Sequence, residues 1–258
     1  GKNAALPGNE IYGLTKTRDN QFLISSNGGF CFFDPLTEKF QTFYEHPKLK
    51  PIAGSLTFYA TTDTQDNIWI GNRTGLYCYN KKLDSLIKIT LPKSASTKFI
   101  FTIAQDSSGN IYAAGRHGVY VVPKDSYSVE RNITKSDGLQ GEYILGLLCD
   151  SNDNIWISGN RGLARYNYKK NSVEAFGAGE GVLQGNHKIA AYYKSPENEI
   201  FIGGEDGFNY FFPDKVSPQQ YPLKVFNTSI QIADSLIMIS GKVDLSLPGD
   251  YSTVAINY

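Results

Sequence analysis

The sequence predicts an all-β protein, a β-propeller of four-stranded antiparallel blades, and three observations predict it. Residues 63–80, "DTQDNIWIGNRTGLYCYN", are written again with few changes at 150–167, "DSNDNIWISGNRGLARYN". Glycine marks a longer register: Gly29, Gly75, Gly118, Gly162 and Gly207 follow one another at intervals of 43 to 46 residues, each before an apolar residue. Almost no stretch shows sustained helical periodicity. Four strands every 43 to 46 residues match a propeller blade, whose repeats run roughly 40–50 residues. A parallel β-helix is the alternative, but its rungs are shorter and poorer in turns.

Each of the five copies justifies its strands in the same order. The first strand reads "IYGLT", "FYATT", "IFTIA", "ILGLL" or "IAAYY". A turn follows whose first residue is Thr17, Asp63, Asp106, Asp150 or Ser195, side chains that bond backbone N–H groups two residues on. Its fourth residue is Asn20, Asp66, Gly109, Asp153 or Asn198, the types that best tolerate positive φ. The second strand, "FLIS", "IWIG", "IYAA", "IWIS" or "IFIG", carries a large apolar residue six positions before the register glycine: Leu23, Trp69, Tyr112, Trp156 and Phe201. Repetition at one position marks Trp69 and Trp156 as core rather than sugar-stacking rings. The third strand starts at the register glycine, and a variable fourth segment closes the first four units. The fifth unit stops short. Small residues suit the first strands, which converge on the axis; Gly13, Gly146 and Ala191 fit and Tyr59 does not. The blades are expected over residues 1–221. The tail, 222–258, loses the register glycine but still alternates, and reads as the opening strands of an Ig-like β-sandwich.

Composition narrows the function classes. Lys+Arg and Asp+Glu are 25 each in 258 residues, so nothing points to a nucleic-acid surface or a polybasic membrane patch. The 17 Tyr, 15 Phe and 25 Gly suit strands joined by tight turns. No apolar run approaches the roughly 18 residues of a membrane span. The first residues, "GKNAALPGNE", have no apolar signal-peptide core and read as the interior of a longer sequence. Three cysteines, Cys31, Cys78 and Cys149, form no disulfide framework and are expected as small buried apolar groups, with a Cys31–Cys78 bridge as the alternative.

The stretches "DNIWIGNRTGLYCYN", "DNIWISGNRGLARYN" and "GGEDGFNYFFPDKV" strongly resemble the two-component regulator propeller repeat. "DGLQGEYILGL", "EGVLQGNHKIA" and "ALPGNEIYGL" are similar to its blade-joining loop, and the tail resembles the start of a three-tyrosine (Y-Y-Y) domain. The resemblance implies the periplasmic sensor region of a Bacteroidetes hybrid two-component regulator, one that responds to glycans or their fragments and controls genes for polysaccharide use. It implies a membrane helix, kinase and DNA-binding regulator elsewhere in such chains, so that membrane contact comes only through segments outside this one. It implies pairing of two copies in the full-length protein and propellers of about seven blades, of which five repeats would be part. The first blade departs from the pattern, since "QFLISSNGGFCFF" has no Trp.

No motif for catalysis or a cofactor occurs. There is no P-loop and no H-E-x-x-H. "GAGEG" at 177–181 has no helix pattern after it, and His46, His117 and His187 lack metal spacing. No carboxylate pair can be placed for glycoside chemistry. The expectation is a non-catalytic chain with no metal and no cofactor. Propellers do host enzymes, so a polysaccharide-acting enzyme and a protein-interaction platform stand as rivals. A ligand is expected where loops gather on one propeller face. The turns between second and third strands supply Asn72 and Arg73, Arg116 and His117, Asn160 and Arg161, and Glu205 and Asp206. Arginine forks there suit the carboxylate or sulfate of an acidic oligosaccharide.

Overall fold

Two kinds of tight turn shape the chain, and both have the backbone their residues call for. In the first, Asn20, Asp66, Gly109, Asp153 and Asn198 all take positive φ, between 60° and 95°. In the second, the five register glycines take φ between 85° and 140°. At Gly118 the need for glycine is double, because a Cβ there would lie 2.0 Å from the Ile133 carbonyl oxygen.

The computed structural model describes residues 6–92, 97–183 and 187–216, together with the backbone of three strands beyond them. The chain divides into two units, Gly1–Pro218 and Gln219–Tyr258. In the first unit the strands between those turns pair as five antiparallel sheets, the blades of a β-propeller. Blade 1 holds β1 (Ile11–Lys16), β2 (Phe22–Ser26), β3 (Gly29–Asp34) and β4 (Lys39–Thr42). Blade 2 holds β5 (Thr57–Thr62), β6 (Ile68–Asn72), β7 (Gly75–Asn80) and β8 (Ser85–Ile89). Blade 3 holds β9 (Ile100–Gln105), β10 (Ile111–Gly115), β11 (Gly118–Val122) and β12 (Arg131–Ile133). Blade 4 holds β13 (Ile144–Cys149), β14 (Asn154–Gly159), β15 (Leu163–Asn167) and β16 (Ser172–Phe176). Blade 5 has three strands among the described residues, β17 (His187–Lys194), β18 (Ile200–Gly204) and β19 (Phe208–Phe211). In the second unit, β20 (Ser229–Ile232) pairs antiparallel with β21 (Ser235–Met238) on one side and β22 (Val254–Asn257) on the other. The rest of the expected sandwich lies outside the described residues.

One element was not legible in the sequence. A single helical turn, α1 (Lys50–Ala53), sits between blades 1 and 2, started by Pro51 and sunk into their interface by Leu49, Ile52 and Ala53.

Burial follows the blade faces. Leu23, Trp69, Tyr112 and Trp156 each pack on the aliphatic face of the next blade. Trp69 and Trp156 are only 3% and 1% exposed, which removes them as sugar platforms. The first turn residue does more than shape its hairpin. The Asp63 carboxylate accepts hydrogen bonds from the Gln65 and Asn67 backbone N–H groups (2.8 and 2.9 Å) and from Trp69 Nε1 (2.8 Å). Asp150 repeats the set, with Trp156 Nε1 donating at 2.9 Å, and Asp106 receives the Tyr112 hydroxyl at 3.0 Å. This is why the eighteen-residue stretch recurs: a buried aspartate in the turn holds the polar edge of the ring that fills the interface.

The first strands touch one another around the axis. Tyr59, the misfit of the sequence pattern, fills the space left by glycine: a Cβ on Gly13 would meet its ring at 3.1 Å. Tyr192 fills the room at Gly146 and shares a 2.7 Å hydrogen bond with the Thr102 hydroxyl across the axis. Burial pushes the Tyr192 phenol well above its ordinary pKa. Small residues and tyrosines together therefore share the space near the axis, with Tyr59 and Tyr192 both half-buried there.

The three cysteines are free thiols, Cys31 and Cys78 buried and Cys149 half-buried. The Cys31–Cys78 bridge is absent. Burial pushes Cys31 up to about 11 and Cys78 to about 12, which keeps both protonated.

Candidate functional site: the glycine-turn face

Bulges prepare one face of the propeller. The pairing of first with second strand skips a residue at Tyr12 in blade 1, Phe58 in blade 2 and Phe101 in blade 3, where the first strand meets the turn face. A bulged residue is freed from the strand's alternation. The freed rings meet: Tyr12 lies 5.6 Å from Phe58, and Phe58 lies 4.8 Å from Phe101 and 6.0 Å from Phe99. Phe58 and Phe101 are buried and form a floor, while Tyr12, Phe99 and Tyr143 remain accessible at their edges.

Two of the expected arginines stand on this floor. The Arg116 guanidinium lies 4.6 Å from the Phe99 ring centre and 5.3 Å from that of Tyr143, between blades 3 and 4. The Arg73 guanidinium lies over the same Phe99 ring at 5.9 Å. Both distances are within cation–π range. Among the described residues neither arginine is ion-paired, and Arg116 Nε is enclosed without a hydrogen-bond partner. Two cations held by rings and left without a carboxylate make a local positive field in a chain of zero net charge. Beside Arg116, a recess of about 220 Å³ is lined by His117, Asn132, Thr134, Lys135 and Glu142, among others. Asn132 Oδ1 has no hydrogen-bond partner, and Lys135 and Glu142 pair at 3.2 Å on its rim.

The other expected residues are placed differently. Asn72 is fully buried, and its side-chain oxygen accepts from Thr74 N and Oγ1 at 2.8 Å each, so it builds the turn that presents Arg73. The His117 ring nitrogen Nε2 meets the Thr97 N–H at 3.3 Å. Asn160 is half-buried with an unpartnered Oδ1, and Arg161 is exposed on the blade 4 turn without a ring contact. Glu205 is ion-paired to Lys188 at 2.6 Å, and Asp206 is exposed. The face thus gathers Arg73, Arg116 and His117 into one arc and leaves Arg161, Glu205 and Asp206 along its continuation.

Sequence reasoning missed Tyr12, Phe58, Phe99 and Tyr143. A signal was present: each is an aromatic within one residue of the start of a first strand. Reading that position as part of the alternating strand hid it, because a bulge breaks the alternation. His187, weighed in the sequence only as a metal ligand, is buried at the start of β17, with Nδ1 3.0 Å from the Gly159 carbonyl oxygen and Nε2 without a partner among the described residues. Burial lowers its pKa below the usual 6.5.

Among the described residues no helix is long and apolar enough to cross a membrane, and no cluster of three His, Cys, Asp or Glu side chains could hold a metal ion.

Comparison with known proteins agrees with this architecture. The two-component regulator propeller family matches residues 138–161. Histidine kinase P4 of Formosa agariphila is 23% identical over 191 residues, which cover 69% of this chain and 13% of that one. The extracellular domain of the hybrid two component system BT4673 from B. thetaiotaomicron superposes with a TM-score of 0.64 at 18% identity, over 87% of this chain and 32% of that one. Virginiamycin B lyase from Staphylococcus aureus superposes at 0.58 and 14% identity, over 78% of this chain and 69% of its own. This chain spans about a third of the solved sensor chain and about an eighth of the histidine kinase. It is a β-propeller with a match, in its fourth repeat, to the two-component regulator propeller family.

Proposed function

We propose that this chain is part of the extracytoplasmic, periplasmic sensing region of a hybrid two-component regulator. It binds an oligosaccharide bearing a carboxylate or sulfate at the glycine-turn face and does not turn it over. The regulator pairs two copies in its full length and controls genes for polysaccharide use. The observation that carries the reading is the arginine–aromatic arc: Arg116 between Phe99 and Tyr143, Arg73 on the same Phe99, and no carboxylate partner for either among the described residues. Flat accessible rings suit the faces of sugar rings, and ring-held guanidinium groups suit an oxyanion. The likeness to sensor chains supports the sensing role. Calorimetric titration with neutral and acidic oligosaccharides tests it. Acidic ligands should bind more tightly and lose affinity as salt rises. Arg116→Ala should weaken them by ~10-fold or more, about 1.4 kcal/mol. Equal binding of neutral ligands by both proteins would remove the charge argument. Consumption of the ligand during the titration would replace the sensor with an enzyme.

A further inference from the structure

Blade 5 departs from the other four at the start of its inner strand. In blades 1 to 4 the first strand opens on the pairs Ile11 with Ser26, Thr57 with Asn72, Ile100 with Gly115 and Ile144 with Gly159, skips one residue, and resumes. In blade 5 His187 pairs with Gly204 and the next pair is Tyr192 with Ile202, so four residues of β17 stand against the single Gly203. Gly204 and Ile202 hold the same places before the register glycine as Gly159 and Ile157 do in blade 4. Tyr192 is thus the counterpart of Leu147, and counting back from it puts Ile189 in the place of Ile144. His187 occupies that place instead, two residues out of step.

The observed register is costly in three ways. Ala190 has φ 57°, a left-handed backbone that a Cβ disfavours, whereas Tyr12, Phe58, Phe101 and Leu145, the skipped residues of the other blades, do not take positive φ. His187 is 3% exposed, and its enclosed Nε2 has no hydrogen-bond partner among the described residues. Ile189 is left half-buried, although its counterparts Ile100 and Ile144 are 0% and 2% exposed. Two interactions oppose these costs. His187 Nδ1 lies 3.0 Å from the Gly159 carbonyl oxygen, and Lys188 pairs with Glu205 at 2.6 Å, where both side chains are about half exposed and the pair is weak.

We propose that the start of β17 has a second register, in which Ile189 pairs with Gly204, Ala191 pairs with Gly203, and Ala190 is the one skipped residue, as in the other blades. Ile189 then takes the buried place, Ala190 loses its left-handed backbone, and His187 and Lys188 pass beyond the pairing onto the glycine-turn face. The slip is two residues, about 6.6 Å of strand. An even slip keeps every side chain on its own face of the sheet, whereas a slip of one would turn them all over. Tyr192 and the strand beyond it keep their partners. The segment is therefore a local two-state device that presents or withdraws His187 and Lys188 at the face on which Arg73 and Arg116 stand.

Acylation of histidine by diethyl pyrocarbonate, followed by peptide mass spectrometry on the 258-residue protein, tests this directly. His187 is buried in the observed register and reachable in the second, so its rate reports the population of the second, with His46 in the same sample as the control. Ala190→Gly accepts the left-handed backbone freely, favours the observed register, and should slow His187 acylation by ~5-fold or more. Ala190→Val puts a branched side chain where positive φ is hardest to hold and should quicken it. Ile189→Ser removes the apolar group that the second register buries and should slow it. The His46 rate should not change in any of them. Ala190→Gly relieves a strain and keeps the fold, so the test does not depend on the valine variant being stable. An equal His187 rate in the parent protein and Ala190→Gly overturns the proposal. So does a parent His187 that is acylated only once urea unfolds the chain.

Discussion

Asp150 makes only local contacts, yet it decides whether Trp156 can be buried. Removing its carboxylate leaves the buried Trp156 Nε1 without an acceptor and takes the half-buried Asn154 amide's acceptor as well, and a hydrogen bond to a charged group is worth about 1.5–3 kcal/mol. Asp150→Ala should therefore lower unfolding stability by about 3 kcal/mol, read as a lower urea midpoint, while Asp206→Ala on the exposed turn should stay within about 0.5 kcal/mol. His187 makes a second residue-scale prediction. Burial lowers its folded pKa, so the unfolded chain takes up the proton first. Its contribution is complete above about pH 6.5 and declines as pH falls from there through the lowered folded value. Urea midpoints measured from pH 7.5 down to 5 should fall, and His187→Gln should flatten that part of the profile. An unchanged slope in the variant would assign the acid sensitivity to other groups.

At the scale of the element, turns and the bonds between them set stability. The Asp153 carboxyl is held below its ordinary pKa, first by the Ser107 hydroxyl and then by the Ser107 N–H, a tie between the hairpins of blades 3 and 4. A lowered carboxyl stabilises the fold above its ordinary value of about 3.9, and that stabilisation is lost as pH falls through the lowered one. Ser107→Ala should thus destabilise the protein at pH 7 and converge with the parent at strongly acid pH, as followed by thermal melts in a pH series. Glycines separate in the same way. Gly118→Ala meets both a positive φ and the Ile133 carbonyl and should cost more than about 1 kcal/mol, whereas Gly181→Ala has positive φ but no neighbour within 4 Å and should cost less. The elements themselves were largely legible. Period, turn residues and alternation placed the strands because each repeat satisfies the same local rules five times. Helix α1 was hidden because four residues carry no period, and Pro51 reads equally well as a loop.

For the whole molecule, legibility stops where chain segments distant in sequence meet. Repeat-equivalent turns pointed to Arg73 and Arg116, and both do stand together. Nothing local revealed that Phe99 would lie under both, since that depends on three blades converging. Tyr59 shows the same limit. It breaks the small-residue pattern of its own strand, and only the absent side chain of Gly13 in the neighbouring blade makes room for it. Exposed residues were the least legible. Trp156 and Phe201 occupy the same repeat position, but Trp156 is 1% exposed against Ile200 and Ile202 of blade 5, whereas Phe201 is half-buried beside the Tyr210 ring.

The central claim is that ligand engages the arginine–aromatic arc of the glycine-turn face. Hydrogen exchange read by mass spectrometry, with and without a saturating acidic oligosaccharide, tests it most directly, because the opposite face supplies an internal control. The account predicts slowed exchange in peptides spanning 72–75, 97–99, 115–118 and 141–143, with no change at the hairpin turns 63–67, 106–110 and 150–154. Protection confined to those hairpin turns, or to the outer strands, would contradict it.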